Sequence, residues 1–240
     1  MIAPRRRGLL SVIAMVALFG VVLHAPLQVA AQDTSSSSDT NFDFKSLDGY
    51  QKGVGRTYSG DLTSLLSGFD TSATPGAEAQ TPDLSKLGLF LMQGFVVQFD
   101  NGDHASSAFD KLTEQITSGG ANDESFSFAE AKIDSIGDKT KAYTGSYTGE
   151  GVQGTADLVL TQKGNFIYAG LGVSFGSDAM ATITTFVSDM SNAKPGDGDG
   201  TFNADGTSSG GLWDIFPAAD SGAVKGLKPL GDQDLSQNGE

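Results

Sequence analysis

Residues that could form a hydrolytic site occur close together at one place, Asp103-His104-Ala105-Ser106-Ser107. A serine hydrolase needs a nucleophile, a base and an orienting acid, and these residue types could supply them. Residues one position apart on a helix point in different directions, however. No Gly-x-Ser-x-Gly sequence, whose sharp turn exposes a catalytic serine, occurs in the chain. We therefore predict that His104 is a surface histidine at the start of a helix, and we expect no catalytic residues.

Metal and cofactor chemistry has little support in the sequence. The chain has no cysteine and two histidines, whereas a zinc site needs several nitrogen or sulfur ligands. The acidic stretch 197–206 is similar to a calcium loop, but the alignment puts Pro195 and Gly206 at positions that normally carry acids. Weak calcium binding there is the alternative to a solvated acidic linker, which we favour. Glycine-rich phosphate-binding motifs are absent, so we expect no cofactor and no metal.

The chain is acidic, with 29 Asp and Glu against 15 Lys and Arg. Three of the basic residues (Arg5, Arg6 and Arg7) belong to a predicted leader. Its removal leaves 12 basic residues and a formal net charge of −17. A surface with this charge repels phosphate backbones and anionic lipids, so we expect no nucleic-acid partner.

The first 31 residues have the three parts of a signal peptide. The arginines precede an apolar run from Leu9 to Leu23, and small residues at Val29-Ala30-Ala31 predict cleavage before Gln32. The apolar run of about 15 residues is shorter than the ~20 needed to span a bilayer. Export with cleavage is therefore favoured over a retained anchor, and the arginines leave either the general or the twin-arginine export route open. We expect an exported protein in the extracellular or cell-envelope space, with no stable membrane anchor after cleavage.

The mature chain is predicted to contain one folded domain. The predicted parts are a disordered spacer (32–41), an α+β domain (42–192), a Gly/Asp/Ser linker (193–211) and a tail (212–240) whose last residues, 231–240, look disordered. In the domain, a strand at 94–99 is followed by a helix from His104 to about Thr117. Four strands, at 125–133, 141–148, 152–162 and 165–175, and a second helix to about Met190 come next.

The fold class that this order predicts is α+β. We expect an antiparallel sheet of about five strands, in the order strand-helix-four strands-helix, with both helices on one face. Short polar side chains predict the helix starts, Asn101 or Asp103 for the first and Ser177 or Asp178 for the second. Lys163-Gly164-Asn165 predicts a tight turn between neighbouring strands.

An apolar island interrupts the polar tail. The side chains of Leu212, Trp213, Ile215 and Phe216 would be costly to leave in water, at ~25 cal/mol per Å² of apolar surface. We therefore predict a docking segment, either folded onto its own domain, which we favour, or bound to a partner. Aromatic residues on the predicted strands could also form a platform for sugars, although ordinary core positions are the favoured interpretation: Phe126, Phe128, Tyr143, Tyr147 and Tyr168.

Several short sequences together resemble a group of bacterial extracytoplasmic domains. They are Val96-Val97-Gln98-Phe99, Ile136-Gly137-Asp138 and Lys163-Gly164-Asn165-Phe166-Ile167-Tyr168, with a closing helix, and they cover roughly residues 42–190. The group includes exported lipoproteins and sensor-type domains with a PsbP-like α/β sandwich. The chain lacks the lipid-attachment cysteine, the disulfide cysteines and the kinase region of such proteins. The resemblance implies a non-catalytic exported domain and transfers no site residues.

The function expected from the sequence is therefore binding or sensing outside the cytoplasm, without catalysis. The partner would be a small apolar ligand, held on the sheet or between helix and sheet, or a protein. Two alternatives stay open: a surface interaction protein that docks through its C-terminal apolar segment, and an exported hydrolase that uses carboxylates.

Overall fold

A computed structural model of the chain describes residues 44–60, 88–118, 126–149, 152–176, 178–202 and 208–235. The predicted leader, the spacer, the acidic residue Asp205 and the end of the tail lie outside the described residues. Among those that are described, no helix has the length and the apolar character needed to cross a membrane.

One antiparallel sheet dominates the described part of the chain. Its seven strands lie in the order β3-β4-β5-β6-β2-β1-β7. Two α-helices and three short 3₁₀ helices accompany it. In chain order the regular elements are β1 (Tyr50–Ser59), β2 (Gly88–Phe99), α1 (Gly102–Ser118), β3 (Phe126–Ala131), β4 (Lys139–Gly149), β5 (Val152–Lys163), β6 (Phe166–Phe175), α2 (Met180–Asn192) and β7 (Lys228–Asp234).

The α+β class, the antiparallel sheet and the two helices are confirmed, but the strand count is corrected from about five to seven. The additional strands are β1, whose sequence Val54-Gly55-Arg56-Thr57-Tyr58 looks like a short strand but was not counted in the predicted sheet, and β7, which lies in the predicted tail. β7 has a polar sequence with Pro229 near its start, so no alternation of apolar residues marks it. Among the described strands it pairs with β1 alone, at the edge of the sheet, where neither a long apolar stretch nor a full set of ladder hydrogen bonds is required.

The two helices lie on opposite faces of the sheet, which corrects the prediction that they share one face. In β5, Leu158 and Leu160 belong to the apolar cluster that contains Ala105 and Phe109 of α1. Val159, between them, belongs to the cluster that contains Ile183 and other residues of α2. Because successive side chains of a strand point to opposite faces, the sheet has an α1 face and an α2 face. Every residue of β2 from Phe90 to Val97 is buried. Such continuous burial is expected for a strand that is covered on both faces.

Turns and helix starts follow local sequence. Asn101 caps α1 through its side-chain oxygen, which accepts a hydrogen bond from the backbone N–H of His104 at 2.9 Å. Gly164, at a φ of +60°, forms the predicted tight turn between β5 and β6. The start of α2 has no side-chain hydrogen bond from its own N-cap residue, Ala179. The first backbone N–H groups of the helix instead donate to the carboxylates of Asp157 and Asp178.

The predicted linker and tail fold back onto the sheet. Residues 194–202 and 208–235, here called the C-terminal segment, form a bridge between Thr201 and Ser209, a 3₁₀ helix over Gly211–Ile215 and strand β7. Gly231 to Asp234, which the sequence predicted to be disordered, are thus part of the sheet. The segment covers the α2 face beside α2 itself.

Candidate functional site

The sequence-predicted docking segment lies inside the core of the α2 face. Leu212, Trp213, Ile215 and Phe216 are each between 2% and 5% exposed. They share an apolar cluster with strand residues such as Val54 and Met92 and with the inner side of α2. Their apolar surface is therefore used within the chain, and in this arrangement the four side chains offer no surface to a partner.

A charged pair joins β1 to the C-terminal segment. Arg56 lies directly opposite Asp232 across the β1–β7 ladder. Its Nε donates to Asp232 Oδ1 at 2.6 Å, and its terminal nitrogen donates to Oδ2 at 2.8 Å. The side chain of Asp232 is fully buried and that of Arg56 is 13% exposed. This two-bond geometry is the strongest arrangement that an arginine makes with a carboxylate.

The same two side chains also hold Ser208. The terminal nitrogen of Arg56 donates to the backbone oxygen of Ser208 at 2.7 Å. The backbone N–H of Ser208 in turn donates to Asp232 Oδ2 at 3.1 Å. The charges of the pair are thus compensated by each other and by backbone groups, as a buried ion pair requires.

Aromatic rings enclose the guanidinium of Arg56. Its central carbon lies 5.8 Å from the ring centre of Trp213 and 5.4 Å from that of Phe216, within the range of a cation–π interaction. Phe202 stacks on Trp213, with ring centres 5.9 Å apart and planes at 25°. Phe202 is 39% exposed, whereas Trp213 is 2% exposed. The stack thus runs from a buried charge to an aromatic ring at the surface, and we call Phe202, Trp213, Phe216 and Arg56 the aromatic stack.

Tyr58 makes a second attachment from β1. Its hydroxyl donates to the backbone oxygen of Pro217 at 2.8 Å. Burial raises the pKa of Tyr58 to about 12, although the positive charge of Arg56 acts in the opposite direction. The phenol therefore stays protonated at neutral pH and serves as a hydrogen-bond donor that holds the C-terminal segment.

We expect the burial of Trp213, the single tryptophan of the chain, to be visible in solution. The fluorescence of the purified protein should be blue-shifted and poorly quenched by acrylamide, because water does not reach the indole ring. Unfolding in guanidinium chloride should shift the emission to the red and restore quenching. Emission typical of a solvated indole in the folded monomer would show that the segment is not docked on its own domain.

The acidic partner of His104 is Asp100, and not Asp103, which is its neighbour in the sequence. The Nδ1 of His104 lies 2.7 Å from Asp100 Oδ1, and both side chains are about two-fifths exposed. Gly49, at a φ of +74°, passes so close to the pair that a Cβ there would lie 2.3 Å from both of those atoms. In the described part of the chain, the ring nitrogen Nδ1 of His104 contacts Asp100 and Asn101, and not Asp103, Ser106 or Ser107. The histidine stands at the surface at the start of α1, as predicted.

Asp157 is a buried acid that the sequence did not single out. It lies in β5 and is 0% exposed. Thr144 Oγ1 donates to its Oδ1 at 2.8 Å, and the backbone N–H of Ala179 donates to its Oδ2 at 3.1 Å. Burial raises the pKa of Asp157, the two hydrogen bonds oppose that rise, and the charge of Asp178 adds to it. A strand residue thus provides the missing cap of α2.

The aromatic residues of the strands do not form one platform. Tyr143 is buried in the cluster of the α1 face, and Tyr168 in that of the α2 face. Phe128 packs against the α1-face cluster. The side chains of Phe126 and Tyr147 lie outside the described part of the structure. A sugar could not stack on the two buried tyrosines together, since the sheet lies between them.

Backbone hydrogen bonds hold the described part of the acidic stretch near residue 200. Thr201 donates its N–H to the oxygen of Ser209 at 2.8 Å, and Ser209 donates its N–H to the oxygen of Thr201 at 3.2 Å. No group of three or more metal-ligating side chains occurs among the residues that the structure describes. The absence of metal and cofactor sites stays a prediction for the whole chain, because Asp205 is outside that part.

Sequence reasoning missed Arg56, although a signal existed. Outside the predicted leader, Arg56 is the sole arginine, and all the other Lys or Arg residues are lysines. Arginine is the residue suited to a buried pair with a carboxylate because its planar group makes two parallel hydrogen bonds. Its partner Asp232 carried no comparable signal, since it is one acid among many in a polar tail.

Comparison with known proteins gives one similar structure. No family model matches the chain, and no curated protein matches it. The crystal structure of the extracellular domain of PknH from Mycobacterium tuberculosis is similar, with a TM-score of 0.39 and 13% sequence identity. The match covers 61% of this chain and 66% of that domain, which is just under two thirds of its length. A likeness of this degree assigns neither a family nor a ligand.

Proposed function

We propose that this protein is a non-catalytic binding or sensing domain that acts outside the cytoplasm. The main support is the use that the fold makes of its buried charges. Arg56 and Asp232 neutralise each other beneath the rings of Trp213 and Phe216, and Asp157 caps a helix. These groups hold the chain together, whereas a hydrolase would direct such groups at a substrate. The signal-peptide pattern supports the location.

The partner that the structure favours is a protein. The sheet faces, which the sequence suggested for a small apolar ligand, are occupied over the central strands by α1, α2 and the C-terminal segment. Phe202 is an exposed aromatic ring, and the buried Trp213 supports it from below. Aromatic residues on a rigid support are common centres of protein interfaces. The acidic net charge favours a basic partner.

Site-specific crosslinking tests this proposal on the exported protein. A photoreactive amino acid at position 202 should give a discrete crosslinked product on intact cells of the native host. The same group at Thr185, an exposed residue on α2, is the control and should give none. The variant Phe202→Ser should abolish the binding of the partner, while the unfolding midpoint falls only modestly, because the ring stacks on Trp213 but is 39% exposed.

Two results would contradict the proposal. One is a small ligand retained in native mass spectrometry of the purified protein with no crosslink at position 202. The other is hydrolysis of ester, glycoside or peptide substrates that His104→Ala or Asp100→Asn abolishes. The second result would favour the hydrolase alternative, since these two side chains form an exposed acid–base pair.

A further inference from the structure

The start of α2 brings two carboxylates together. The backbone N–H of Ala179 donates to Asp157, and the next one, of Met180, donates to Asp178 Oδ1 at 2.7 Å. Adjacent amides of one helix start thus bind acids from two different elements. Asp157 is buried in β5, whereas Asp178 is exposed just before the helix.

We propose that Asp157 and Asp178 share a proton and that the pair holds the start of α2 more firmly in acid than at neutral pH. The positive end of the helix dipole stabilises one negative charge at this place. A second negative charge beside it is repelled by the first, and the burial of Asp157 keeps bulk solvent from screening its side of the pair. A single proton between the two carboxylates removes the repulsion and adds a hydrogen bond.

The surroundings of the pair contain no compensating base among the residues that the structure describes. From β4, Asp157 meets the neutral hydroxyl of Thr144, and from the start of α2 it meets an N–H group. Asp178 is the charged side chain that acts on it, by charge and by hydrogen bonding, and both effects raise the pKa of Asp157. Protonation is therefore the available way to neutralise the pair.

The sign of the pH effect follows from this. The native pKa of Asp157 lies above its ordinary value of 3.8, so in the pH range between the two values the folded state binds more protons than the unfolded state. Stability conferred by the pair is then complete at low pH and is lost as the pH rises through the native pKa. Within that range, one proton changes the unfolding equilibrium constant by up to about tenfold per pH unit.

The test is denaturant unfolding of the purified protein between pH 3 and pH 8, together with the variant Asp178→Asn. The asparagine keeps an oxygen for the N–H of Met180 and offers an amide hydrogen to Asp157. We expect the variant to match the wild type at pH 3, below the ordinary pKa of 3.8, and to be more stable at pH 7. Asp134→Asn removes the same charge from an exposed loop position and is the control. Its profile should stay parallel to that of the wild type.

A second measurement does not depend on any variant. In the wild type, the side-chain carbon of Asp157 and the amide signals of Ala179 and Met180 should titrate together in nuclear magnetic resonance, with one midpoint above 3.8. In Asp178→Asn this midpoint should fall. The proposal is wrong if Asp178→Asn and the wild type have parallel stability profiles, or if the two amides do not follow the titration of Asp157.

Discussion

Replacing Asp232 by alanine is expected to lower the free energy of unfolding by about 3–5 kcal/mol. The change leaves the guanidinium of Arg56 buried beneath Trp213 and Phe216 without its carboxylate. It also removes the acceptor for the backbone N–H of Ser208. Because Asp232 lies in β7, the strand should detach from β1 together with the adjoining part of the C-terminal segment. Chemical unfolding should show the loss, and the fluorescence of Trp213 should shift to the red under native conditions.

An exposed ion pair gives the matched control. Lys141 and Glu130 pair across β4 and β3, but both side chains are about half exposed. Glu130→Ala should therefore change the free energy of unfolding by about 1 kcal/mol or less. The double variant Asp232→Ala with Arg56→Met should be more stable than Asp232→Ala alone, since no buried charge is left unpaired. Equal effects of the Asp232 and Glu130 substitutions would show that the Arg56–Asp232 pair is solvated.

The second large effect is expected where α2 crosses the sheet. Gly94 and Gly170 are direct partners in the β2–β6 ladder, and Gly172 lies two residues further along β6. A Cβ at Gly170 would lie 2.6 Å from Cγ2 of Val187, and one at Gly172 would lie 2.1 Å from Cδ1 of Ile183. These glycines let the helix approach the backbone of the sheet. Strand glycines commonly mark such close contacts.

Gly170→Ala should therefore reduce the free energy of unfolding by about 1–3 kcal/mol through overpacking. Alanine otherwise suits a strand better than glycine, so a loss has to come from the contact with α2. Gly231→Ala in β7 is the control, because nothing lies within 4 Å of a Cβ there, and it should be neutral or slightly stabilising. Adding Val187→Ala to Gly170→Ala should give a loss smaller than the sum of the two single losses. A neutral Gly170→Ala variant would mean that α2 is not held at this distance.

Periodicity alone gave the fold class and most of the core. The alternation of β5 and β6, and the 3.6-residue spacing of apolar residues on α1 and α2, depend on neighbours in sequence. Asn101 at the start of α1 and Gly164 between β5 and β6 were also predictable, because caps and tight turns are local. The apolar composition of Leu212 to Phe216 further indicated that this segment needs a place to be buried.

Only the tertiary structure decided where distant parts meet. Arg56 and Asp232 are 176 positions apart, and Asp157 caps a helix that begins 23 residues later, so no local pattern could pair them. The division of the two helices between opposite faces depended on burial of both sides of β2 and β6. Strand β7 exists because its ladder with β1 and a charged pair compensate for its polar sequence. Local preferences are set by the nearest few residues, whereas such pairings gain their free energy only when the whole chain has brought the partners together.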